Sequence, residues 1–160
     1  MMDYQELLTG DPDLPIPNHH KFRKAWRWPH CIEDFFNLRI EDKYSLHVCC
    51  GQSSLGTVRI DIDPHSQRTH EGDMNDIPFD NCSFDVVFGD WPWKLNFFQR
   101  WKPFYEMIRK CKVGGYVIIN CTWQPFSKSV VLKEMFVRCD FPFGQASLIL
   151  VYEKITEEFD

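Results

Sequence analysis

No stretch of about 18 consecutive apolar residues occurs in the chain, so a membrane-spanning helix is not expected. There is no Cys-x-x-Cys pair, and the seven cysteines are an odd number. Cys49 and Cys50 are adjacent, while Cys111, Cys121 and Cys139 lie in or beside apolar segments. That usage speaks for reduced, mostly buried thiols in a cytoplasmic protein, and no spacing supports a zinc or other metal site. Positive charge is in deficit as well. Eighteen Lys and Arg against 23 Asp and Glu leave a net charge of −5, which argues against a broad electrostatic grip on nucleic acid. Internal repeats and low-complexity tracts are absent, and the opening MMDYQELLTGDPDLPIP is acidic and proline-rich, unlike a signal peptide.

Apolar residues make up 44% of the chain and aromatics 16%, enough for a real core, and 160 residues suit one domain. Residues 1–18 read as a loosely ordered lead-in, because Pro12, Pro15 and Pro17 prevent regular structure. The single domain then spans 19–160. Basic residues are few but grouped: Lys21, Arg23, Lys24 and Arg27; Lys94, Arg100 and Lys102; Arg109, Lys110 and Lys112.

The most informative stretch is SFDVVFGDWPW, Ser83 to Trp93. Phe84, Val86, Val87 and Phe88 form a short apolar run of β-formers, as in a strand buried on both faces of a parallel sheet. The run stops at Gly89-Asp90, and Pro92 cannot extend the ladder. An acid just past the carboxyl end of such a strand stands where open α/β sheets bind ligands. The flanking indoles of Trp91 and Trp93 suit a planar group carrying an N–H donor.

Taken in order, HHKFRKAWRWPH interleaves cations with Phe22, Trp26 and Trp28. That pattern serves equally for stacking on bases, for a lid over a pocket, or for anchoring in the core. A helix is expected over about 30–40, where Ile32, Phe35, Phe36 and Ile40 recur at helical spacing. Tyr44 to Cys50 is the first buried strand, followed by a turn at Gly51. Val58 to Ile62 is a second strand ending in acids, Asp61 and Asp63. The gap between the two is too short for a crossover helix, so the first crossover is missing or reduced to a turn. A very short third strand is expected before Gly72-Asp73-Met74. A helix starts near Lys102 with Pro103 in its first turn and ends at Gly114-Gly115. Tyr116 to Cys121 is a strand, Ser129 to Cys139 reads as a helix, and Ala146 to Tyr152 is the last strand. The fold class is α/β: a minimal doubly wound, mostly parallel sheet, with an antiparallel final strand.

The ordered set CCGQSSLG, VRIDIDP, GDMNDIPF, FDVVFGDWPW and KVGGYVIIN resembles a class I S-adenosylmethionine-dependent methyltransferase of Rossmann-like fold, over about residues 44 to 152. GDWPW resembles the [D/N]-P-P-[Y/F/W] motif of enzymes that methylate adenine N6, cytosine N4 or glutamine amides, closest to the adenine-N6 group. The resemblance implies S-adenosylmethionine as cofactor. It assigns the methionine part to Cys49, Cys50 and Gly51, the ribose to Asp61, and the adenine edge to Asp73 with Met74 beside it. His47 replaces the usual acid of the first strand, and is either a further cofactor contact or a core histidine. Asp90, Trp91, Pro92 and Trp93 become the catalytic segment, with Asp90 also bordering the cofactor. On the substrate side stand Trp26, Arg27, Trp28, Trp93, Lys94 and Trp123, and WRWP would close over the cofactor. The motif's first Pro is Trp91 here, tolerable because the motif uses that residue's carbonyl.

The expected activity is methyl transfer to an exocyclic amino nitrogen, adenine N6 of DNA or RNA foremost, with nucleic acid as partner. With no room for a recognition domain, the enzyme is expected to be relaxed in specificity or to depend on a partner chain or on the basic-aromatic arm. Two alternatives stay open. The acidic net charge favours a glutamine amide in a protein, while Asp instead of Asn at position 90 argues against it. His47, Trp91 and the lost helix would also suit a catalytically silent subunit.

Overall fold

The computed structural model describes residues 28, 30–92, 95–96, 98–138 and 147–158. The expected lead-in and residues Trp26, Arg27, Trp93 and Lys94 lie outside the described residues.

Seven strands form one sheet: β1 (Ser45–Val48), β2 (Val58–Asp61), β3 (His70–Glu71), β4 (Phe84–Gly89), β5 (Cys111–Cys121), β6 (Val130–Arg138) and β7 (Ser147–Lys154). Their order is β3-β2-β1-β4-β5-β7-β6. The pairings among β1 to β5 are parallel, and β7 is inserted antiparallel between β5 and β6. The apolar runs of β1 and β4 are buried on both faces, as a central parallel strand requires.

Two helices are found among the described residues, one on each face. α1 (His30–Ile40) carries Glu33 in its first turn and Arg39 in its last, complementing its dipole. Its Phe36 stacks on Phe88 of β4 with ring centroids 4.8 Å apart, within a cluster completed by Val86, Ile118 and Ile149. α2 (Trp101–Lys110) has Pro103 in its first turn, where a missing N–H costs nothing. It buries Phe104, Met107 and Ile108 against Leu46, Val87 and Val117 on the opposite face. Each such fully buried side chain contributes about 1.5–3 kcal/mol relative to exposure.

The connections 49–57, 62–69, 72–83 and 122–129 contain no helix. The missing first crossover is therefore as the spacing predicts, and the reduction extends to three further connections.

Two expectations are corrected. Residues 130–138 form β6, an edge strand, and not a helix. The run pairs from Val130↔Lys154 to Arg138↔Ser147, with an irregularity at Lys133 between Leu132 and Glu134. Gly114-Gly115 does not end a helix either. α2 stops at Lys110 and runs straight into β5, whose register against β4 jumps from Phe84↔Cys111 to Val86↔Tyr116. The glycine pair sits in that bulge. Gly114 has φ +82°, and a Cβ on Gly115 would lie 2.6 Å from the Asp85 carbonyl oxygen.

Candidate active site

Strand order reverses direction at β1 and β4, so a crevice forms beyond their carboxyl ends. Four loops meet there: those after β1, β2, β3 and β4. The β1–β4 pairing is close enough that a Cβ on Gly89 would lie 2.5 Å from the Val48 carbonyl oxygen, so the strand ends admit only glycine at that point.

The loop after β1 turns through two left-handed residues, Cys49 at φ +57° and Gly51 at φ +52°. Asp61, at the end of β2, holds this turn. Its Oδ2 accepts the Gly51 N–H at 2.9 Å, and its Oδ1 accepts the Asp63 N–H at 2.9 Å. Each oxygen keeps a lone pair, so the half-buried carboxylate has capacity for two further donors. After β3, Asp73 is exposed and accepts the Asn75 N–H and Nδ2–H on Oδ1, at 2.8 and 3.0 Å.

Cys49 stands between these acids. Its Sγ lies 3.6 Å from Met74 Sδ. Burial pushes the thiol pKa well up, and the charges of Asp61, Asp90 and Asp73 add to the effect. The thiol is therefore protonated and unreactive. The acids at or just past the ends of β2, β3 and β4 thus all act on the loop after β1.

Asp90 is half-buried at the end of β4. Its charge also raises Cys121 at the end of β5, whose pKa is driven to about 12 mainly by burial. Asp90 thus lies between the β1 loop and the β5 end. Trp91 is 3% exposed and joins the core, which leaves its backbone as the part available at the strand end. Pro92 is exposed. Trp91, Pro92, Leu95, Arg100, Cys121 and Trp123, with Thr122, line a narrow cleft beside Asp90. Trp123 is held there by the Arg100 guanidinium, 5.4 Å from its ring centre, and by Trp101 at 4.7 Å edge to face.

Not every candidate reaches the crevice. His47 is fully buried on the α1 side. Trp28 Nε1–H donates to its Nε2 at 3.4 Å, so Nδ1 carries the proton and donates to the Leu55 carbonyl at 3.2 Å. Phe88 stacks on the ring at 4.3 Å. Burial drives its pKa down to about 3, so it is neutral. Both nitrogens are used, and His47 is a core histidine and not a ligand contact. Trp28 is corrected likewise: at 1% exposure it packs on Phe36 at 4.9 Å, so it anchors the core and offers no face to a substrate. Cys50 is buried with its thiol pKa raised to about 11, again by burial first.

Leu95, Arg100, Cys121 and Thr122 also line the cleft, and the motif reading did not single them out. The run Leu95 to Tyr105, aromatic and cationic without one acid, was the available signal.

The carboxylates of Asp61 and Asp73 fit the hydroxyls and amino edge of an adenosyl group, being acceptors at a strand-end crevice.

No family model matches the chain, and no curated protein matches it. Solved structures do. A candidate RNA methyltransferase from Pyrococcus horikoshii superposes with a TM-score of 0.63 at 16% identity, over 98% of this chain and 100% of that one. The N-methyltransferase NodS from Bradyrhizobium japonicum, in complex with S-adenosyl-L-homocysteine, gives 0.62 at 12% identity, over 94% and 95%. A SAM-dependent methyltransferase from Methanosarcina mazei gives 0.60 at 12% identity, over 77% and 98%. The likeness is one of fold: the chain has the Rossmann-like architecture of S-adenosylmethionine-dependent methyltransferases.

Proposed function

We propose that the chain is an S-adenosylmethionine-dependent methyltransferase acting on an exocyclic amino nitrogen, adenine N6 of DNA or RNA foremost. The observation that carries the reading is the placement of Asp61, Asp73 and Asp90 at or just past the ends of β2, β3 and β4, on either side of the strand-order reversal, with Asp90 directly before the Trp91-Pro92 wall of the cleft that includes Trp123. The crevice at the reversal would take the cofactor, and the acceptor amine would meet Asp90 at the end of β4.

When bound, S-adenosylmethionine supplies an electrophilic methyl group on a sulfonium. Asp61 would hold the ribose hydroxyls through the lone pairs left over from Gly51 and Asp63. Asp73 would accept from the adenine amino edge. Gly51 and the backbone of the left-handed turn would border the methionine part.

An exocyclic amine is a weak nucleophile because its lone pair is delocalised into the ring. Asp90 and the Trp91 carbonyl accept its two N–H bonds in this reading, which favours a pyramidal nitrogen with its lone pair turned toward the methyl. The indole of Trp91 is locked in the core, so the carbonyl is carried on a rigid support. Asp90 accepts the proton that the alkylated nitrogen sheds. A base in a duplex must first be turned out, or be single-stranded already.

A second reading is favoured by one observation. The connection 49–57 carries no helix, so one that would cover a side of the cofactor is lost, as suits a methyltransferase-like subunit without activity.

Incubation with S-adenosylmethionine labelled in the methyl group, against DNA, RNA and protein pools, tests the assignment. The reading expects label at N6 of adenine, loss of transfer in Asp90→Ala, and an unchanged S-adenosylhomocysteine affinity in that variant. Label in protein glutamine alone would overturn the substrate. Loss of cofactor binding in Asp90→Ala would make Asp90 architectural.

A further inference from the structure

Two aromatic side chains are left in water next to the cleft. Phe98 is 83% exposed, one turn before α2, and Phe126 is 73% exposed in the connection that replaces the β5–β6 crossover helix. Trp101 links this surface to the cleft. Its ring meets Phe126 at 5.3 Å and Trp123 at 4.7 Å, both edge to face, and Tyr105 at 5.9 Å. Phe98 and Lys102 also line a shallow groove with Asn75, Leu95 and Gln99, adjoining the cleft through Leu95. The result is a shelf of rings that continues the cleft wall outward. Residues 122–129, which carry Trp123 and Phe126, contain no helix.

The charge of the shelf runs opposite to that of the chain. Segments 95–105 and 122–128 contain Arg100, Lys102 and Lys128 and no Asp or Glu, whereas the whole chain has a net charge of −5. The first turn of α2 has no acid, although acids are favoured there. Exposed rings of this kind offer π faces, and the cations Arg100 and Lys102 beside them suit a polyanion whose bases are unstacked.

We infer that the shelf built from Phe98, Trp101 and Phe126, with Arg100 and Lys102 at its edge, binds the nucleotides flanking the target in single-stranded nucleic acid. The inference rests on the methyl-transfer reading and names its substrate class: a single strand, its target base at Asp90 and its neighbours stacked on the shelf. Affinity comes from stacking on a few rings with about two or three phosphate contacts. That reconciles binding with an acidic chain, and predicts a shallow salt dependence.

The test is fluorescence anisotropy of labelled single-stranded 10-mers of DNA and RNA, and of the corresponding duplexes, with saturating S-adenosylhomocysteine. Calorimetry with S-adenosylhomocysteine alone runs in parallel. Wild-type protein should prefer the single strands. Phe98→Ala/Phe126→Ala, both residues exposed and outside the core, should weaken that binding by about 10- to 100-fold and leave the S-adenosylhomocysteine affinity unchanged. Lys102→Ala should flatten the salt slope by about one. If the double variant binds the single strands as tightly as wild type, the shelf is not the site, while the methyl-transfer reading stands. If wild type binds S-adenosylhomocysteine but no oligonucleotide at low salt, the shelf belongs to a protein partner and the inference fails. A chain that binds no S-adenosylhomocysteine but still binds single strands through Phe98 and Phe126 overturns the methyl-transfer reading instead.

Discussion

Asp61 Oδ2 accepts the backbone N–H of Gly51 at 2.9 Å, so the carboxylate that ends β2 fixes the turn that follows β1. One side chain therefore shapes the loop and, in the proposed complex, holds the ribose.

Asp61→Ala should weaken S-adenosylhomocysteine binding by about 1–3 kcal/mol, the cost of leaving the hydroxyl donors and the Gly51 N–H without an acceptor. Calorimetric titration measures it. An unchanged affinity would show that the β2 acid does not face the cofactor.

Cys49 is a non-glycine residue at φ +57° with its Sγ against Met74. Cys49→Gly removes a side chain from the crevice and relieves a backbone conformation that costs about 1 kcal/mol in an L-residue. The S-adenosylhomocysteine Kd should fall several-fold. Stability should change by less than about 1 kcal/mol, since added freedom of the unfolded chain offsets the relief. Weaker binding in the variant would instead make the thiol a cofactor contact.

His47 makes folding sensitive to acid. Its pKa is about 3 when folded and about 6.5 when unfolded, so between these values the unfolded chain binds the extra proton. The stability contributed by the neutral buried ring is complete above about pH 6.5 and is lost as pH falls toward 3. Lowering the pH from 7 to 5 should cost up to about 2 kcal/mol through this residue. Urea unfolding of wild type and His47→Asn at both pH values checks this. The variant should lose much of the pH slope, and an identical slope would contradict the assignment.

Trp28 packs between Phe36 and His47, and the Arg138 guanidinium lies 5.6 Å from its ring. Trp28→Ala should cost about 3–5 kcal/mol of stability. A variant as stable as wild type but poorer in substrate binding would restore Trp28 to the substrate side.

Much of this architecture is written locally. The strands around Leu46, Ile60 and Val87 are short segments rich in β-formers, and Asp61 and Asp90 stand where β2 and β4 stop. β6 was illegible for a physical reason. As an edge strand it leaves Val131, Met135 and Val137 partly in water, and the irregularity at Lys133 breaks the two-residue alternation. What remains, Val130, Val131, Met135 and Phe136, mimics helical spacing. Gly114-Gly115 misled because a glycine pair marks a helix end and a strand bulge alike. The fates of His47 and Trp28 depend on each other across the fold, so neither segment alone reveals that they pair. The aromatic shelf needed the structure because Trp101 and Phe126, 25 residues apart in sequence, meet only across the fold.

The measurement closest to the central claim is calorimetric titration of the full chain with S-adenosylmethionine and S-adenosylhomocysteine. The account predicts one site of micromolar Kd for each, weakened by Asp61→Ala and retained in Asp90→Ala. Absence of binding to both ligands by the intact chain would contradict it and leave a methyltransferase-like subunit without a cofactor.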